Sequence, residues 1–364
     1  MGNATRYACR ARFVFLAAMG LSIAPALGQT AQEILGHTGA DREKFLLAGA
    51  EREGEVVLYS AMIVNQAVRP LAEAFQKKYP KVKVNYWRGD ANEIPRRIMA
   101  EVQARNVVAD VVEGTSTGVT LAKAGALQPF LSPRIDEYEP IHRDPNHLWA
   151  VTRLSYYCAS INTNMVSSAD APKTYEDLLD SKWKGKLSWR VGVDNGPPLF
   201  ITNLRLAWGE DRAKAYLEKL AGQAMVNFAA GSARTLVDRV VAGEYPIALN
   251  IFCHHPLISA AKGAPVASQL MDPMVSTAGN VVIPKGIRHP FSAMLFIDYL
   301  LSEDGQKILA AAEYYPAHPK VRALDYIAAA TPGVAGMREN FVRPEEEVKA
   351  GERSAELFEE IFRR

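Results

Sequence analysis

The stretch EVVLYSAMIVNQAVRPLAEAFQKKYPKVKVNYWR, residues 55–88, decides the fold class. Residues 55–61 have the short apolar pattern of a strand, and residues 81–88 alternate apolar and polar side chains, as in a half-buried strand. Between them, residues 64–79 repeat apolar side chains at intervals of three and four, which predicts one buried helix face ending at Pro80. A strand, a helix and a second strand in this order predict a βαβ unit.

The same alternation continues along the chain. Residues 93–104 favour a helix, and the continuous apolar run 107–112 favours a strand buried on both faces, so we predict a parallel sheet here. After a long strand-like run, 148–161, the later segments are: helix from 174, strand 186–189, two helices across 199–220, strand 225–229, helix 232–242, strand 245–252, two strands after Pro265 of which the second is 279–284, helix 291–301, and a helical tail from 344.

We therefore predict an α/β protein of two lobes connected by several crossings of the chain. Without the N-terminal leader, residues 1–28, about 335 residues remain. This is more than usually folds around a single hydrophobic core. We assign residues 52–147 and about 273–320 to lobe one, 148–272 to lobe two, and 321–364 to a helical tail that packs on the lobes.

Residues 1–28 have the pattern of a cleaved secretory signal peptide. Arg6, Arg10 and Arg12 precede an apolar run, 13–24, which is too short to span a bilayer and is followed by Pro25 and small residues. Cys9 precedes this run, so we do not expect lipidation. The mature chain then begins near Gln29, and we expect an exported, periplasmic protein with no membrane-spanning segment.

Charge and cysteine content narrow the function classes. Removing the leader takes away three arginines and no acidic residues, leaving 39 basic and 40 acidic side chains, so no strongly basic surface for nucleic acid is expected. Only Cys158 and Cys253 remain. In an oxidising compartment they could form a disulfide, or they could be two separate buried thiols; the sequence leaves both open.

Nine segments in this order resemble the extracellular solute-binding proteins of ABC importers, most closely the ferric-iron-binding branch. The resemblance covers roughly residues 52–320 and implies the type II periplasmic-binding-protein fold, a ligand cleft between the lobes, hinge closure, and delivery to an inner-membrane permease driven by an ATPase. The segments are GEVVLYSA (54–61), LAEAFQKKYPKVKVNYWRGD (71–90), ADVVEGTSTG (109–118), GALQPF (125–130), INTN (161–164), PKTYEDLLDSKWKGKL (172–187), LVDRVVAGEYPIALN (236–250), NVVIPKGIRHPFSAMLFIDYLLSEDGQKIL (280–309) and EYYPAHP (313–319).

The chain departs from the ferric-binding pattern at the ligand residues. That branch implies neighbouring tyrosines after the strand that here ends in Asn250–Phe252, but Cys253, His254 and His255 follow. The first-lobe loop after residue 59 reads Ser60, Ala61, Met62, without a histidine. Ferric ion prefers anionic oxygen ligands, so these residues predict weak binding of bare iron.

Hydroxyl groups at strand ends point instead to an anion. Ser60, Thr115, Ser116 and Ser232 each follow a strand and open a helix, where unpaired amides and the helix dipole attract negative charge. Each could equally be an ordinary helix N-cap. Their common position at the carboxyl ends of strands favours binding of a ligand such as a carboxylate, phosphate or sulfonate.

Arginines and aromatic residues supply the other candidates. Arg190 ends a predicted strand and could hold an anion through two hydrogen bonds; it could also be a solvated surface charge. We predict a ligand site from these residues: Ser60, Ala61, Thr115, Ser116, Arg190, Ser232 and Asn250. The weaker candidates are Arg88, Arg153 and Arg234 for the anion, and Tyr59, Trp149, Tyr156 and Trp189 for an apolar wall. We assign Tyr314 and Tyr315 to packing.

Two further patterns indicate other chemistry. Residues 114–118, GTSTG, match the G-x-S-x-G of a hydrolase nucleophile elbow, with Ser116 as nucleophile, although no histidine is singled out as its base. Cys253, His254 and His255 could bind a transition metal, but only from an irregular loop, because neighbours on a strand point to opposite faces.

The sequence thus predicts an exported receptor without cofactor or catalytic activity, a monomer that captures a small anion by hinge closure and delivers it to a membrane permease. The alternatives are a receptor for ferric iron or an iron complex, whose bound anion supplies the missing oxygens, and a secreted serine hydrolase.

Overall fold

The computed structural model describes Met1 and residues 29–90, 93–192, 195–229 and 231–363. The predicted signal peptide lies outside the described residues, except for Met1. The α-helices are α1 Ala31–Leu35, α2 Arg42–Glu53, α3 Arg69–Lys78, α4 Glu93–Gln103, α5 Thr117–Lys123, α6 Pro197–Trp208, α7 Glu210–Ala221, α8 Ala233–Val241, α9 His254–Ala261, α10 Pro290–Leu301, α11 Glu303–Ala311, α12 Asp325–Ala328, α13 Pro332–Ala335 and α14 Pro344–Phe362.

Eleven strands form one connected sheet in the described part of the chain. They are β1 Glu55–Ser60, β2 Lys83–Arg88, β3 Val111–Thr115, β4 Trp149–Asn162, β5 Leu187–Arg190, β6 Val226–Phe228, β7 Ile247–Phe252, β8 Val266–Gln269, β9 Met274–Val282, β10 Tyr315–Pro316 and β11 Glu339–Phe341. A π-helical turn, Val64–Val68, leads into α3, and short 3-10 turns occupy Pro133–Glu137, Pro140–His142, Glu176–Leu179 and Ser181–Trp183.

The strand order is β2-β1-β3-β9-β4-β7-β5-β6. Strands β1, β2 and β3 are parallel, as predicted, but β9 joins them antiparallel, so the first sheet is mixed. Strand direction cannot be deduced from apolar periodicity, because an alternating pattern is the same in both directions. On the other side of the sheet, β5 pairs in parallel with β6 and β7.

Strand β4 connects the two halves. Its first residues, 149–156, pair with β9, whereas residues 157–162 pair with β7 and β8. Thirteen of its 14 residues are buried, which explains the long apolar pattern. The β4 and β9 segments are thus two of the routes by which the chain passes between the halves.

The two largest of the hydrophobic cores among the described residues define the lobes. We call lobe one the part built around the core under β1–β3 and helices α2, α3 and α10, and lobe two the part around the core under β5, β7, α6 and α7. The exact boundaries given above remain a prediction. The α/β two-lobe architecture itself agrees with the fold class predicted from the sequence.

Helix α14 packs on lobe two and also contacts lobe one. Leu357 and Phe358 enter the second core, where the Phe358 ring meets Trp189 at 5.6 Å between centroids. Toward lobe one its contacts are polar: Trp149 Nε1 donates to Glu345 at 3.0 Å, and Lys123 Nζ donates to Glu352 at 2.6 Å. The helix is therefore anchored by apolar burial on one lobe and by side-chain hydrogen bonds on the other.

Two local predictions were wrong. Strand β3 was placed at 107–112 but begins at Val111 and runs to Thr115. The Asp110 carboxylate accepts the Val57 amide at 2.9 Å and the amides of Arg288 and His289, so a side chain takes the place that a backbone carbonyl would have in a longer ladder.

The helix predicted from residue 174 consists only of the two 3-10 turns. Asp180 separates them, because it has an extended backbone and its side chain accepts the Lys182 amide. Competition of this kind for backbone groups is why aspartate disfavours a helix interior. Among the described residues, no helix has the length and apolar content required to cross a membrane.

The anchoring of α14 gives a stability prediction. Phe358→Ala removes a nearly buried aromatic ring from the second core, so we expect the free energy of unfolding to fall by about 3–5 kcal/mol. Leu206→Ala on α6 is the matched control, because Leu206 is 47% exposed and its loss should cost less than about 1 kcal/mol. Urea unfolding followed by circular dichroism measures both. Equal costs for the two variants would show that α14 contributes little to lobe two.

Candidate functional site

A cleft of about 130 Å³ lies where strand ends of both lobes meet. Among the described residues, four guanidinium groups and one carboxylate line it, together with two imidazoles and a few hydroxyl and apolar groups. This is the edge at which open α/β sheets bind ligands, because strand ends and helix starts leave polar backbone groups there. The lining residues are Ala61, Ile63, Arg88, Asp90, Thr115, Arg153, Arg190, Asn195, Ser232, Ala233, Arg234, Phe252, His254, His255 and Tyr314.

Arg153 on β4 forms the buried floor of the cleft. Its Nε donates to Glu113 Oε1 at 3.1 Å, and its Nη1 lies 3.4 Å from the Thr115 hydroxyl. The side chain runs over Gly279 on β9, where a Cβ atom would come within 2.8 Å of the Arg153 Cγ. Glycine at that position is therefore what allows the guanidinium to lie flat across the sheet.

Glu113 anchors this arrangement from β3. It is fully buried and also accepts the Ser60 hydroxyl at 2.7 Å and the Thr152 hydroxyl at 3.3 Å. A buried carboxylate requires such a set of donors, because its charge is otherwise strongly disfavoured away from water. The pair with Glu113 thus fixes the Arg153 guanidinium at the cleft.

Arg190 and Arg88 face the cleft from opposite lobes. Arg190 ends β5, and its Nε donates to the Gly231 carbonyl at 2.9 Å. Burial lowers the pKa of the Arg190 guanidinium, while the nearby Asp90 carboxylate acts in the opposite direction. Arg88 ends β2 and stays exposed. Two cations and one carboxylate thus face each other across the opening.

Arg234 and two histidines form the lobe-two wall. Arg234 lies in the first turn of α8; its Nη1 donates to the His255 carbonyl at 3.2 Å, and its Nη2 pairs with Asp238 at 3.1 Å. Burial, the neighbouring His255 and the guanidinium groups of Arg153 and Arg234 hold the pKa of His254 well below its usual value. Burial and the same arginines lower the pKa of His255 to about 3. Both imidazoles are therefore neutral near pH 7.

Tyr314 closes the lobe-one side. Its hydroxyl accepts the Ile63 amide at 3.2 Å, and its ring lies 5.1 Å from the Arg153 guanidinium carbon and 5.3 Å from the His254 ring. The packing role assigned from the sequence did not include this position on the cleft wall. Burial raises the pKa of Tyr314, which keeps the phenol protonated.

Four of the seven predicted ligand residues line the cleft: Ala61, Thr115, Arg190 and Ser232. Ser232 also caps α8, since its hydroxyl accepts the Thr235 amide at 3.2 Å. Ser60 lies beneath the cleft, where its hydroxyl is used by Glu113 and the Met62 amide. Asn250 does not line it either: its Nδ2 donates to the carbonyls of Asn195 and Gly196, both at 3.0 Å, and so holds the start of α6.

Ser116 lies elsewhere, in a second cavity of about 270 Å³ between α5, α6 and α14. It has a left-handed backbone at the start of α5, and its hydroxyl donates to Glu347 on α14. Among the described residues, no histidine forms a hydrogen bond with Ser116. Within the described ranges, the hydrolase interpretation thus has a serine on a strained turn but no histidine bonded to it, and Glu347 accepts its hydroxyl instead.

None of the four aromatic candidates for an apolar wall lines the cleft. Tyr59 donates to Glu101 at 2.8 Å, Trp149 contacts α14, Tyr156 packs on Tyr315 and Trp189 lies fully in the second core. Apolar periodicity identifies buried aromatic residues but not which of them border a cavity. Phe252 takes this place instead.

The Cys253–His255 segment forms a helix start. His254 and His255 begin α9, and in the described part of the chain no group of three or more His, Cys, Asp or Glu side chains is arranged to hold a metal ion. Cys158 and Cys253 are both free and buried. Burial, with a contribution from Cys158, raises the pKa of the Cys253 thiol well above its usual value, so the cysteine next to the histidines is protonated.

The sequence did not identify Asp90, Asn195 or Tyr314 as cleft residues. Asp90 follows the end of β2, so the positional argument used for Thr115 could have found it. Asn195 and Tyr314 come from loops whose path depends on the tertiary fold. Arg88, Arg153 and Arg234, treated as weaker candidates, all reach the cleft.

The Arg153–Glu113 pair gives the second prediction. Arg153→Met leaves a fully buried carboxylate without its cation, so we expect a loss of about 3–5 kcal/mol in unfolding free energy. Adding Glu113→Gln removes the stranded charge and should restore much of that loss. Chemical unfolding of both single variants and the double variant completes a double-mutant cycle; additive costs would contradict direct coupling.

A family model, sequence relatives and solved structures of other proteins agree with this architecture. The family model described as "Bacterial extracellular solute-binding protein" matches residues 70–334. The Fe(3+)-binding periplasmic protein of Serratia marcescens is 24% identical over 271 residues, covering 71% of this chain and 77% of that protein. The periplasmic binding protein AfuA of Actinobacillus pleuropneumoniae, solved with fructose-6-phosphate, has a TM-score of 0.70 and 23% identity, over 85% of this chain and 99% of that one.

Iron-bound HitA of Pseudomonas aeruginosa is similar to the same degree, with a TM-score of 0.69 and 21% identity over 83% of this chain and 99% of that one. These structures establish the two-lobe fold. The resemblance to solute-binding proteins, with iron-binding proteins among the relatives, is confirmed. The family match covers well over half of the sequence, and the chain therefore belongs to the bacterial extracellular solute-binding proteins.

Proposed function

We propose that this protein captures a small anionic solute, of the carboxylate, phosphate or sulfonate type, and presents it to an ABC permease. Solute binding for an importer is the role of the family, and the anionic ligand is our inference. The observation that carries it is the convergence of Arg88, Arg153, Arg190 and Arg234 on one cleft, where Asp90 is the one carboxylate among the described lining residues.

The charge balance supports an anion rather than a cation. Among the described residues, Glu113 and Asp238 each pair with one guanidinium and Asp90 lies near Arg190, so four guanidinium groups stand against three carboxylates at the cleft. Guanidinium groups bind carboxylate and phosphate oxygens through two parallel hydrogen bonds, and partial burial strengthens them. The cavity of about 130 Å³ suits a compound of few atoms.

Binding from both lobes implies closure. Arg88 and Thr115 belong to lobe one, whereas Arg190 and Arg234 belong to lobe two. A ligand held by both sets stabilises the arrangement in which the lobes are close, and this is how hinge closure becomes ligand-dependent. We also propose that the protein is a periplasmic monomer released by cleavage near Gln29.

Iron enters this proposal only as a complex. Relatives are named as iron-binding proteins, and Tyr314 is the tyrosine that lines the cleft in the described part of the chain. Its phenol is kept protonated by burial and lies against Arg153, an environment that opposes a ferric ion. An iron complex with an anion such as citrate could supply its own oxygens, and the ligand screen includes it.

The test begins with native mass spectrometry of protein purified from a periplasmic extract, to detect a co-purified ligand. A thermal-shift panel follows: phosphate, sulfate, methylphosphonate, citrate, and ferric citrate. We expect stabilisation by anions without iron, of about 2.7 kcal/mol when the ligand exceeds its dissociation constant a hundredfold. Small-angle scattering should show a smaller radius of gyration in the bound state.

Arginine variants then locate the site. Arg190→Gln should weaken binding of the best anion by about 10- to 100-fold, the value of one or two charge-assisted hydrogen bonds. Arg322→Gln is the matched control, because it makes the same charge change at an exposed ion pair outside the cleft. Stabilisation by ferric ion alone, insensitive to Arg190→Gln, would contradict the proposed function.

A further inference from the structure

Two adjacent histidines at the cleft have unsatisfied buried nitrogen atoms. His254 and His255 are 4% and 9% exposed, and their ring centroids are 4.4 Å apart. The Nδ1 atom of each ring is buried and has no hydrogen-bond partner among the described residues. Buried polar atoms of this kind are uncommon in native proteins, and two of them side by side in a ligand cleft indicate a missing partner.

The helix start adds to this polarity. His254 and His255 occupy the first turn of α9, an eight-residue helix, and Cys253 before them makes no side-chain capping hydrogen bond. The first amides of a helix lack carbonyl partners, and the helix dipole places partial positive charge there. Amide and imidazole groups at this end of α9 are therefore suited to an anion.

The charged and titratable neighbours oppose protonation of the empty site. On the elements that pack around the pair these include Arg153, Tyr156 and Cys158 on β4, Arg234 and Asp238 on α8, Tyr314 before β10 and Tyr315 on it. On α12, Tyr326 is directed away, to Glu313. The thiol of Cys253 and the tyrosine hydroxyls are protonated, so the effective neighbours are two guanidinium groups whose carboxylate partners, Glu113 and Asp238, are already engaged.

We propose that His254 and His255 contact the bound anion directly and that the pair takes up a proton when the anion binds. This inference rests on the proposed function, since it requires an anion in the cleft. It goes further by assigning two contact residues and a proton to the binding event. The anion supplies both the acceptor for an imidazole N–H and the negative charge that the empty site lacks.

Proton uptake on anion binding fixes the direction in which affinity changes with pH. In the empty cleft the pKa of His255 is lowered to about 3 and that of His254 lies well below its usual value, so both rings are neutral near pH 7. A bound dianion raises these pKa values. At pH values between the histidine pKa values of the free protein and those of the complex, the complex holds more protons than the free protein. Affinity for the anion must therefore rise as the pH falls.

Sulfate is the probe, because it remains a dianion throughout the useful pH range, so any pH dependence belongs to the protein. Isothermal titration calorimetry at several pH values from about 5.5 to 8, in buffers of different ionisation enthalpy, counts the protons taken up. We expect uptake of up to about one proton per sulfate and an affinity gain of up to about tenfold per pH unit.

His255→Gln and the double variant with His254→Gln should still fold and bind sulfate more weakly, with the proton uptake lost from the double variant. His142→Gln is the matched control: His142 also has a lowered pKa and a buried, unpartnered Nδ1, but it lies outside the cleft. It should leave affinity and proton uptake unchanged.

Three results would overturn the inference. Sulfate binding by the wild-type protein without proton uptake contradicts it while leaving the proposed function intact, and this measurement needs no variant. Proton uptake that persists in a folded double variant assigns the proton to another group. Failure of sulfate, phosphate and methylphosphonate to bind at any pH contradicts the proposed function itself, and the inference fails with it.

Discussion

The buried pair between Arg153 and Glu113 connects the strand that crosses between the lobes with the sheet of lobe one. Because β4 carries Arg153 at the cleft floor while β3 carries Glu113 beneath it, one interaction ties fold and site together. A buried charge is tolerated only when it is fully partnered, and Ser60, Thr152 and Thr115 complete the set. Gly279 makes room for it. Three strands and a hydroxyl network thus hold one guanidinium in place.

The electrostatics of the other cleft residues build on the fixed positive charge of Arg153. Additional cations come from strand ends and helix starts of both lobes, and the histidines beside them remain neutral because a further charge would be unfavourable. An empty site of this kind holds electrostatic free energy that an anion releases. The same physics explains the proposed closure of the lobes, since each lobe contributes cations that repel one another until a ligand lies between them.

Membership in the family does not determine the ligand. Proteins with about the same sequence identity to this chain include some named for iron and one solved with a sugar phosphate. The solved structures among them share the two-lobe scaffold. The scaffold requires buried strands, two strands that pass between the lobes, and helices that cover the sheet. It tolerates many different residues at the strand ends. Ligand chemistry therefore depends on a few side chains at the strand ends, which the backbone tolerates in many forms.

The sequence by itself determined the alternation of strands and helices, the two-lobe α/β class and the general position of the site. Periodicity, proline stops and the Ser232 cap are local, and local patterns survive without knowledge of the fold. Only the tertiary structure decided that β9 runs antiparallel beside β3, that Ser60 and Asn250 are used internally, and that Ser116 faces α14. It also brought Arg88, Arg153, Arg190 and Arg234, spread over about 150 residues of sequence, to one cleft. Their convergence depends on strand order and on the β4 crossing, which arise from long-range pairing that no local pattern encodes.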